Sequence, residues 1–145
     1  MEEKKDVGVL LFNLSLNSVK KEGLSHKERL KKDKEFQIVF REGKKVWINS
    51  ILLIIYKPNY LNYRRLGIVV SKKIRKATQR NKVKRWVREL FRRNKDLFPE
   101  NCDIIIIPHP NLLNLKYRDF AEVVKEKLLS LRKIETSFHD KKIDN

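Results

Sequence analysis

Basic side chains concentrate in one segment of this chain. Of the 35 Lys and Arg residues, 14 fall within residues 64–95, a segment with a single acid, Glu89. The segment supplies most of the formal net charge of +17. Lys and Arg neutralise phosphates through charged N–H donors, so a localised excess of this size favours a polyanionic partner, above all nucleic acid.

Half of these basic residues belong to a predicted helix over residues 78–94, the cationic helix. At 100° per residue, its apolar stripe consists of Val83, Trp86, Val87, Leu90 and Phe91. The opposite side carries Asn81, Lys84, Arg85, Arg88 and Arg92. Like charges at spacings of three and four repel by about a few tenths of a kcal/mol per pair. A solvated face without a partner is therefore less favoured than a face that binds RNA or DNA, and Trp86 is predicted to pack in the core.

The sequence offers little for catalysis or metal binding by the polypeptide itself. Metal-assisted phosphodiester hydrolysis needs clustered carboxylates, whereas Glu89, Asp96, Asp103 and Asp119 are dispersed. The three His residues are scattered and Cys102 is the single cysteine, so no zinc-ligand spacing occurs and no intramolecular disulfide can form. These patterns disfavour a stand-alone nuclease.

The apolar runs of the sequence are too short to span a membrane. The longest of them, residues 51–56 and 104–107, are far shorter than the roughly 18 residues that span a bilayer. We therefore predict a cytoplasmic protein with no membrane partner.

The elements before the cationic helix are predicted to be one helix and two strands. Asp33 can cap a first helix that ends at a left-handed Gly43. Residues 46–56 are rich in Ile, Leu and Val and predict one long strand. Residues 66–71 predict a second strand, and the short connection favours an antiparallel hairpin between the two.

A third strand and a last helix follow the cationic helix. Residues 102–107 form an apolar run stopped by prolines, and residues 117–134 carry apolar side chains at helical spacing. The order αββαβα predicts an α+β sandwich, a short sheet packed by helices. Its domain spans residues 25–134, between a weakly ordered extension (1–24) and a polar tail (135–145).

One run of residues resembles a known family. Arg80-Asn81-Lys82-Val83-Lys84-Arg85, preceded by Gly67-Ile68-Val69-Val70-Ser71-Lys72-Lys73 and by Lys76-Ala77, is similar to the signature of the protein subunit of bacterial ribonuclease P. Lys82 stands where that family usually has Arg, which keeps the charge and loses the guanidinium fork. The resemblance covers about residues 25–134. It implies a two-layer, ribosomal-protein-like sandwich whose βαβ crossover is left-handed, whereas nearly all such connections are right-handed.

The resemblance also implies two binding surfaces. The first would contact the catalytic RNA and comprises Lys72, Lys73, Lys76, Arg80, Asn81, Lys82, Lys84, Arg85, Arg88 and Arg92. The second would be a cleft for the single-stranded 5′ leader of precursor tRNA, lined by Phe36, Phe40, Ser50, Leu52, Ile54, Tyr56 and Lys73. Ile54 replaces a residue that is often aromatic in the family. For Phe36 and Phe40 a core role and a binding role are both open.

By the same resemblance, the RNA carries the active site and its Mg²⁺. This chain would be an accessory subunit with no catalytic residue and no metal motif, and it would need no protein oligomer. A ribosomal or ribosome-assembly RNA-binding protein without a processing role is the alternative, since high charge and extended ends are typical of both classes.

Overall fold

The structure, a computed structural model, describes residues 24–143, with side chains described for residues 24–132. The predicted N-terminal extension lies outside the described residues except for Leu24, which is buried. The elements are α1 (Asp33–Glu42), β1 (Lys44–Ile48), β2 (Leu52–Pro58), β3 (Arg65–Ile68), α2 (Ala77–Arg93), β4 (Cys102–Pro108) and α3 (Tyr117–Ile143). Short 3-10 helices occupy His26–Glu28, Lys95–Leu97 and Pro110–Asn114. The predicted α+β class is confirmed.

The single long strand predicted over residues 46–56 is wrong. β1 and β2 form an antiparallel hairpin in which Lys44 pairs with Tyr56 and Ile48 with Leu52. Asn49 and Ser50 make the turn at φ values of 44° and 59°. Asn tolerates this left-handed region better than most residues. The apolar residues on both sides of the turn, without Gly or Pro, concealed it in the sequence.

The predicted pairing of the second strand with the strand before it is also wrong. The sheet order is β1-β2-β4-β3, so β4 lies between β2 and β3. β4 is antiparallel to β2 and parallel to β3. Two parallel neighbours cannot be joined by a tight turn, and α2 makes the predicted crossover connection.

Helices lie on both faces of the sheet, because successive strand residues point to opposite sides. On one face, α2 and α3 cover Leu52, Ile54, Ile104 and Ile106. On the other face, Phe36 and Val39 of α1 pack with Leu30, Ile55 and Ile105. The short α1 covers only part of its face, and this leaves room for a surface beside it.

The end of α1 differs from its prediction. Gly43 is extended, with φ −74° and ψ 155°, so left-handed backbone is not what requires glycine here. A Cβ at Gly43 would lie 2.7 Å from Cγ2 of Ile55 and against the carbonyl oxygen of Val39. The glycine therefore permits a close approach of the helix end to β2.

The start of α1 also differs. Asp33 is the first helical residue and does not cap the helix. The Glu35 carboxylate instead accepts a hydrogen bond of 3.0 Å from the backbone N–H of Lys32, half of a capping box.

The last helix is longer than predicted. α3 runs to Ile143 and does not end at Ile134, so it continues into residues assigned to a polar tail. Within the described part of the chain, no helix is both long and apolar enough to cross a membrane.

Candidate RNA interface

The core face of α2 matches its prediction. Val83, Val87, Leu90 and Phe91 are fully buried against the sheet and α3. Trp86 is partly buried, and its ring lies 5.6 Å from Tyr117 and 5.8 Å from Phe120, centroid to centroid. The predicted packing role of Trp86 is confirmed.

The exposed cationic residues form a surface at the start of α2 and along one of its sides. Lys72, Lys73 and Lys76 are exposed in the loop before the helix, and Asn81 and Arg85 are exposed on it. We call these five residues the basic surface. Lys82 is partly buried, with its ammonium 4.9 Å above the Trp86 ring, so a cation–π contact holds it beside this surface.

Arg80 and Arg92 have protein partners. The Arg80 guanidinium donates to the carbonyl oxygens of Ile74 and Arg75, at 3.1 and 2.5 Å, and so ties the Lys-rich loop to α2. Arg92 pairs with Glu89 at 2.7 Å, and Arg93 pairs with the same carboxylate. The hydrogen bond from Arg92 lowers the pKa of Glu89. Arg80 therefore positions the loop, and part of the charge at the end of α2 is neutralised internally.

Lys84 and Arg88 do not lie on an open face as predicted. Both are buried, and Lys84 is only 2% exposed. Among the described residues, its Nζ has no hydrogen-bond partner. Burial, together with the positive charges of Arg88 and Arg80, lowers the pKa of Lys84 to about 8. The helical wheel could not show this, because burial on the flank of a helix depends on tertiary neighbours.

The residues predicted to line a cleft are divided between the two faces of the sheet. Phe36 is buried and Phe40 is 37% exposed, both on α1. Leu52 and Ile54 are fully buried on the opposite face, and Tyr56 packs against that same core. Ser50 is exposed in the β1–β2 turn. The structure therefore does not bring Leu52, Ile54 and Tyr56 together with the α1 aromatics.

A different row of residues lies beside α1. The helix covers the cross-strand row that contains Ile55, Ile105 and Gly67, where a Cβ on the glycine would come 2.6 Å from the Phe36 ring. On the same face, the next row is partly or largely exposed. In this row, Trp47 of β1 is paired with Leu53 of β2, and Leu53 is paired in turn with Ile107 of β4. Val69, just after β3, completes the row, and its N–H donates to the carbonyl oxygen of Ile106 at 3.1 Å. We call these four residues the open row: Trp47, Leu53, Ile107 and Val69.

An ion-pair network fixes α1 on the sheet. Arg65 donates to both carboxylate oxygens of Asp103 at 2.7 Å and to Glu35 of α1 at 2.6 Å. Asn59 adds a hydrogen bond of 3.0 Å to Asp103. The hydrogen bonds that Arg65 donates to Asp103 raise the pKa of Arg65, since they favour the charged guanidinium. Sequence reasoning missed this network, because its members are far apart along the chain.

Comparisons with known proteins agree on one family. A sequence model of the family described as Ribonuclease P matches residues 24–133. The ribonuclease P protein component of Thermotoga maritima is 46% identical over 112 residues, which are 77% of this chain and 95% of that protein. This chain belongs to the ribonuclease P protein family.

Solved structures of the family support the predicted α+β sandwich. The ribonuclease P protein from Thermotoga maritima has a TM-score of 0.58 at 44% identity, covering 72% of this chain and 94% of its own. The protein from Staphylococcus aureus has a TM-score of 0.64 at 32% identity, covering 73% and 95%. The matches favour a ribonuclease P protein component over the ribosomal alternative.

Metal binding by this domain is judged from its own side chains. Within the described residues, no group of three or more His, Cys, Asp or Glu side chains is placed to hold a metal ion. Two of the acids on the sheet side of α1, Glu35 and Asp103, are already bound to Arg65.

Proposed function

We propose that this chain is the RNA-binding protein subunit of ribonuclease P, which binds the catalytic RNA with its basic surface and the 5′ leader of precursor tRNA along the open row. In this role it assists RNA-catalysed removal of the leader, which yields the mature tRNA 5′ end. Family membership, together with two chemically different surfaces on one small domain, carries the proposal. A cytoplasmic location follows from the same role.

The basic surface suits a folded RNA. Three of its four cations are exposed in the loop before α2 and the fourth, Arg85, on the helix, and Asn81 adds an amide that can donate to a phosphate or a base edge. Each phosphate that a Lys or Arg neutralises releases counterions, so binding here weakens with salt. Arg80 supports the surface by holding the loop of residues 72–76 against the helix.

The open row suits a single strand. Single-stranded RNA binds proteins by stacking its bases on aromatic and apolar side chains while cations follow its backbone. Leu53, Ile107 and Val69 give a partly exposed apolar floor, and Phe40 and Trp47 expose aromatic rings. Lys73 follows β3 at one edge of this floor and can contact the leader backbone there.

Catalysis is assigned to the RNA subunit and its Mg²⁺. Phosphodiester hydrolysis with two metal ions needs carboxylates that are close together and free to ligate. Here Glu35 and Asp103 share Arg65, Glu28 pairs with Lys95 at 2.8 Å, and Glu89 pairs with Arg92. The protein would therefore contribute affinity and charge screening, and its effect should be largest when Mg²⁺ is scarce.

The test is reconstitution. A precursor tRNA is incubated at low millimolar Mg²⁺ with a bacterial ribonuclease P RNA, with this protein, and with both. We expect cleavage at the mature 5′ end only when both are present. Tight RNA binding without cleavage across several bacterial RNAs would contradict the proposal. Cleavage by the protein alone would contradict the assignment of catalysis to RNA.

A further inference from the structure

Trp47 is an exposed tryptophan on an edge strand. It lies in β1, the first strand of the sheet, and 57% of its surface is accessible. Val46 and Ile48, its neighbours along the strand, point to the opposite face and join the main core. More than half of this large ring is in water, and Leu53 and Ile107 beside it are partly exposed, so the ring belongs to a contiguous apolar patch of the kind that marks a surface for a partner.

The register places Trp47 at one end of the open row. Its Cα partner is Leu53, and Leu53 is paired in turn with Ile107. β1 and β3 are the two edges of the sheet. With strands about 4.8 Å apart, the row extends about 14 Å from Val69 to Trp47. The basic surface begins just after β3, so Trp47 lies at the end of the row that is farther from it.

The charge around Trp47 favours a polyanion with planar groups. Lys45 precedes Trp47 by two residues and shares its face of the sheet, and Lys44 is exposed beside it. β1 contains no acid, and the nearest one, Glu42, is paired with Arg41 at 3.2 Å. An apolar protein segment would gain nothing from these lysines, whereas a single strand of RNA offers bases to the ring and phosphates to the ammonium groups.

We propose that Trp47 stacks on a base of the precursor tRNA leader and that Lys45 contacts an adjoining phosphate. This inference rests on the proposed function and extends its binding surface to the β1 edge. Because the basic surface follows β3 along the chain, a leader that leaves the catalytic RNA there would cross the row from β3 towards β1 and meet Trp47 last. Trp47 therefore sets how long a leader the protein can use.

The test measures the affinity of the reconstituted holoenzyme for precursor tRNAs whose leaders are lengthened one nucleotide at a time. Trp47→Ala should leave short leaders unaffected and weaken binding of long leaders by about tenfold, the range of one stacked base. Trp47→Phe should restore most of this loss, because a smaller aromatic ring still stacks. Tyr60→Ala is the matched control, since Tyr60 is 92% exposed in the loop after β2, and it should have no effect.

Fluorescence gives an independent readout. In a Trp86→Phe background, Trp47 is the single tryptophan of the chain. Long leaders should quench its emission in the holoenzyme, and short leaders should not.

Four results would overturn the inference. Trp47→Ala could weaken the binding of precursor tRNAs with short and long leaders equally, or it could weaken the binding of neither. The free protein could be a dimer that Trp47→Ala dissociates, in which case the ring covers a protein contact. If the unmodified holoenzyme does not distinguish leader lengths, the open row itself fails as a leader site, and the Trp47 assignment fails with it.

Discussion

At the residue scale, the surroundings of Lys84 change the protonation of its side chain. Its ammonium is buried beside Arg80 and Arg88, with no hydrogen-bond partner among the described residues. A buried charge without an anion destabilises a folded protein. A phosphate bound on the nearby surface of α2 would offset this charge through space, so Lys84 couples folding stability to pH and to RNA binding.

We predict opposite pH effects on stability and on RNA affinity. Burial, helped by Arg88 and Arg80, lowers the pKa of Lys84 from 10.5 to about 8. Between these values the unfolded chain binds more protons than the folded one, so the RNA-free protein gains stability as pH rises through this window. RNA affinity should fall over the same window, because loss of the Lys84 charge weakens the long-range attraction of α2 for phosphates.

The measurement is chemical denaturation and RNA binding at pH values from neutral to about two units above the lowered pKa. Lys84→Met is the reference variant, since it keeps the volume and removes the titration. It should be more stable than the parent at neutral pH and should bind RNA more weakly. Identical pH profiles for the variant and the parent would remove Lys84 from both effects.

Residue-scale predictions from the sequence were correct where one helix decides the outcome. The stripe of Val83, Val87 and Leu90 follows from helical geometry, and these side chains are buried. The burial of Lys84 and the bonds of Arg80 to the preceding loop depend on neighbours outside the helix. Residue type and spacing along α2 contain no signal for either.

At the element scale, α2 is a rigid support for charge, and we predict that Arg85 contributes to RNA binding through charge alone. Arg85 is exposed on α2, so Arg85→Ala should leave the free energy of unfolding within about 0.5 kcal/mol of the parent. RNA affinity should decrease, and the slope of its logarithm against the logarithm of salt concentration should decrease in magnitude by about 1. Lys127→Ala, an exposed cation on α3, is the control. A similar loss in both variants would indicate a general effect of net charge.

The two aromatic residues of α1, Phe36 and Phe40, differ in burial, and this assigns one to the core and the other to a binding surface. Phe36 is buried against Gly67, so Phe36→Ala should cost about 3–5 kcal/mol of folding stability. Phe40 is partly exposed, so Phe40→Ala should cost much less stability and should reduce the advantage of long leaders over short ones. Thermal melts combined with cleavage of both substrates test this. If Phe40→Ala destabilises as much as Phe36→Ala, both rings belong to the core.

The strand β2 shows why the sequence could not indicate which of its residues lie on the same face as the α1 aromatics. Its run of Leu and Ile has no alternation of polar and apolar residues, so the sequence does not indicate which side chains face α1. Pairing in the structure puts Leu53 and Ile55 on that face and Leu52 and Ile54 on the other. Only the register of the hairpin, set by the turn at Asn49 and Ser50, decides between the two.

At the scale of the whole molecule, the net charge of +17 acts on folding and on binding in opposite directions. Self-repulsion destabilises a compact state whose charge is far from zero. The partly buried network of Arg65, Glu35 and Asp103 is less exposed to screening than the surface cations are. Salt should therefore relieve repulsion over the basic segment without breaking the contacts that hold α1.

We predict that raising salt from about 0.01 M to about 0.15 M increases the melting temperature of the RNA-free protein, since the Debye length decreases from about 30 Å to about 8 Å. The same change should weaken the complex with the catalytic RNA. Arg85→Ala, which removes one of the exposed charges of α2, should show a smaller gain in melting temperature. A melting temperature that decreases with salt would mean that surface ion pairs, such as Glu89 with Arg92, stabilise the fold more than repulsion destabilises it.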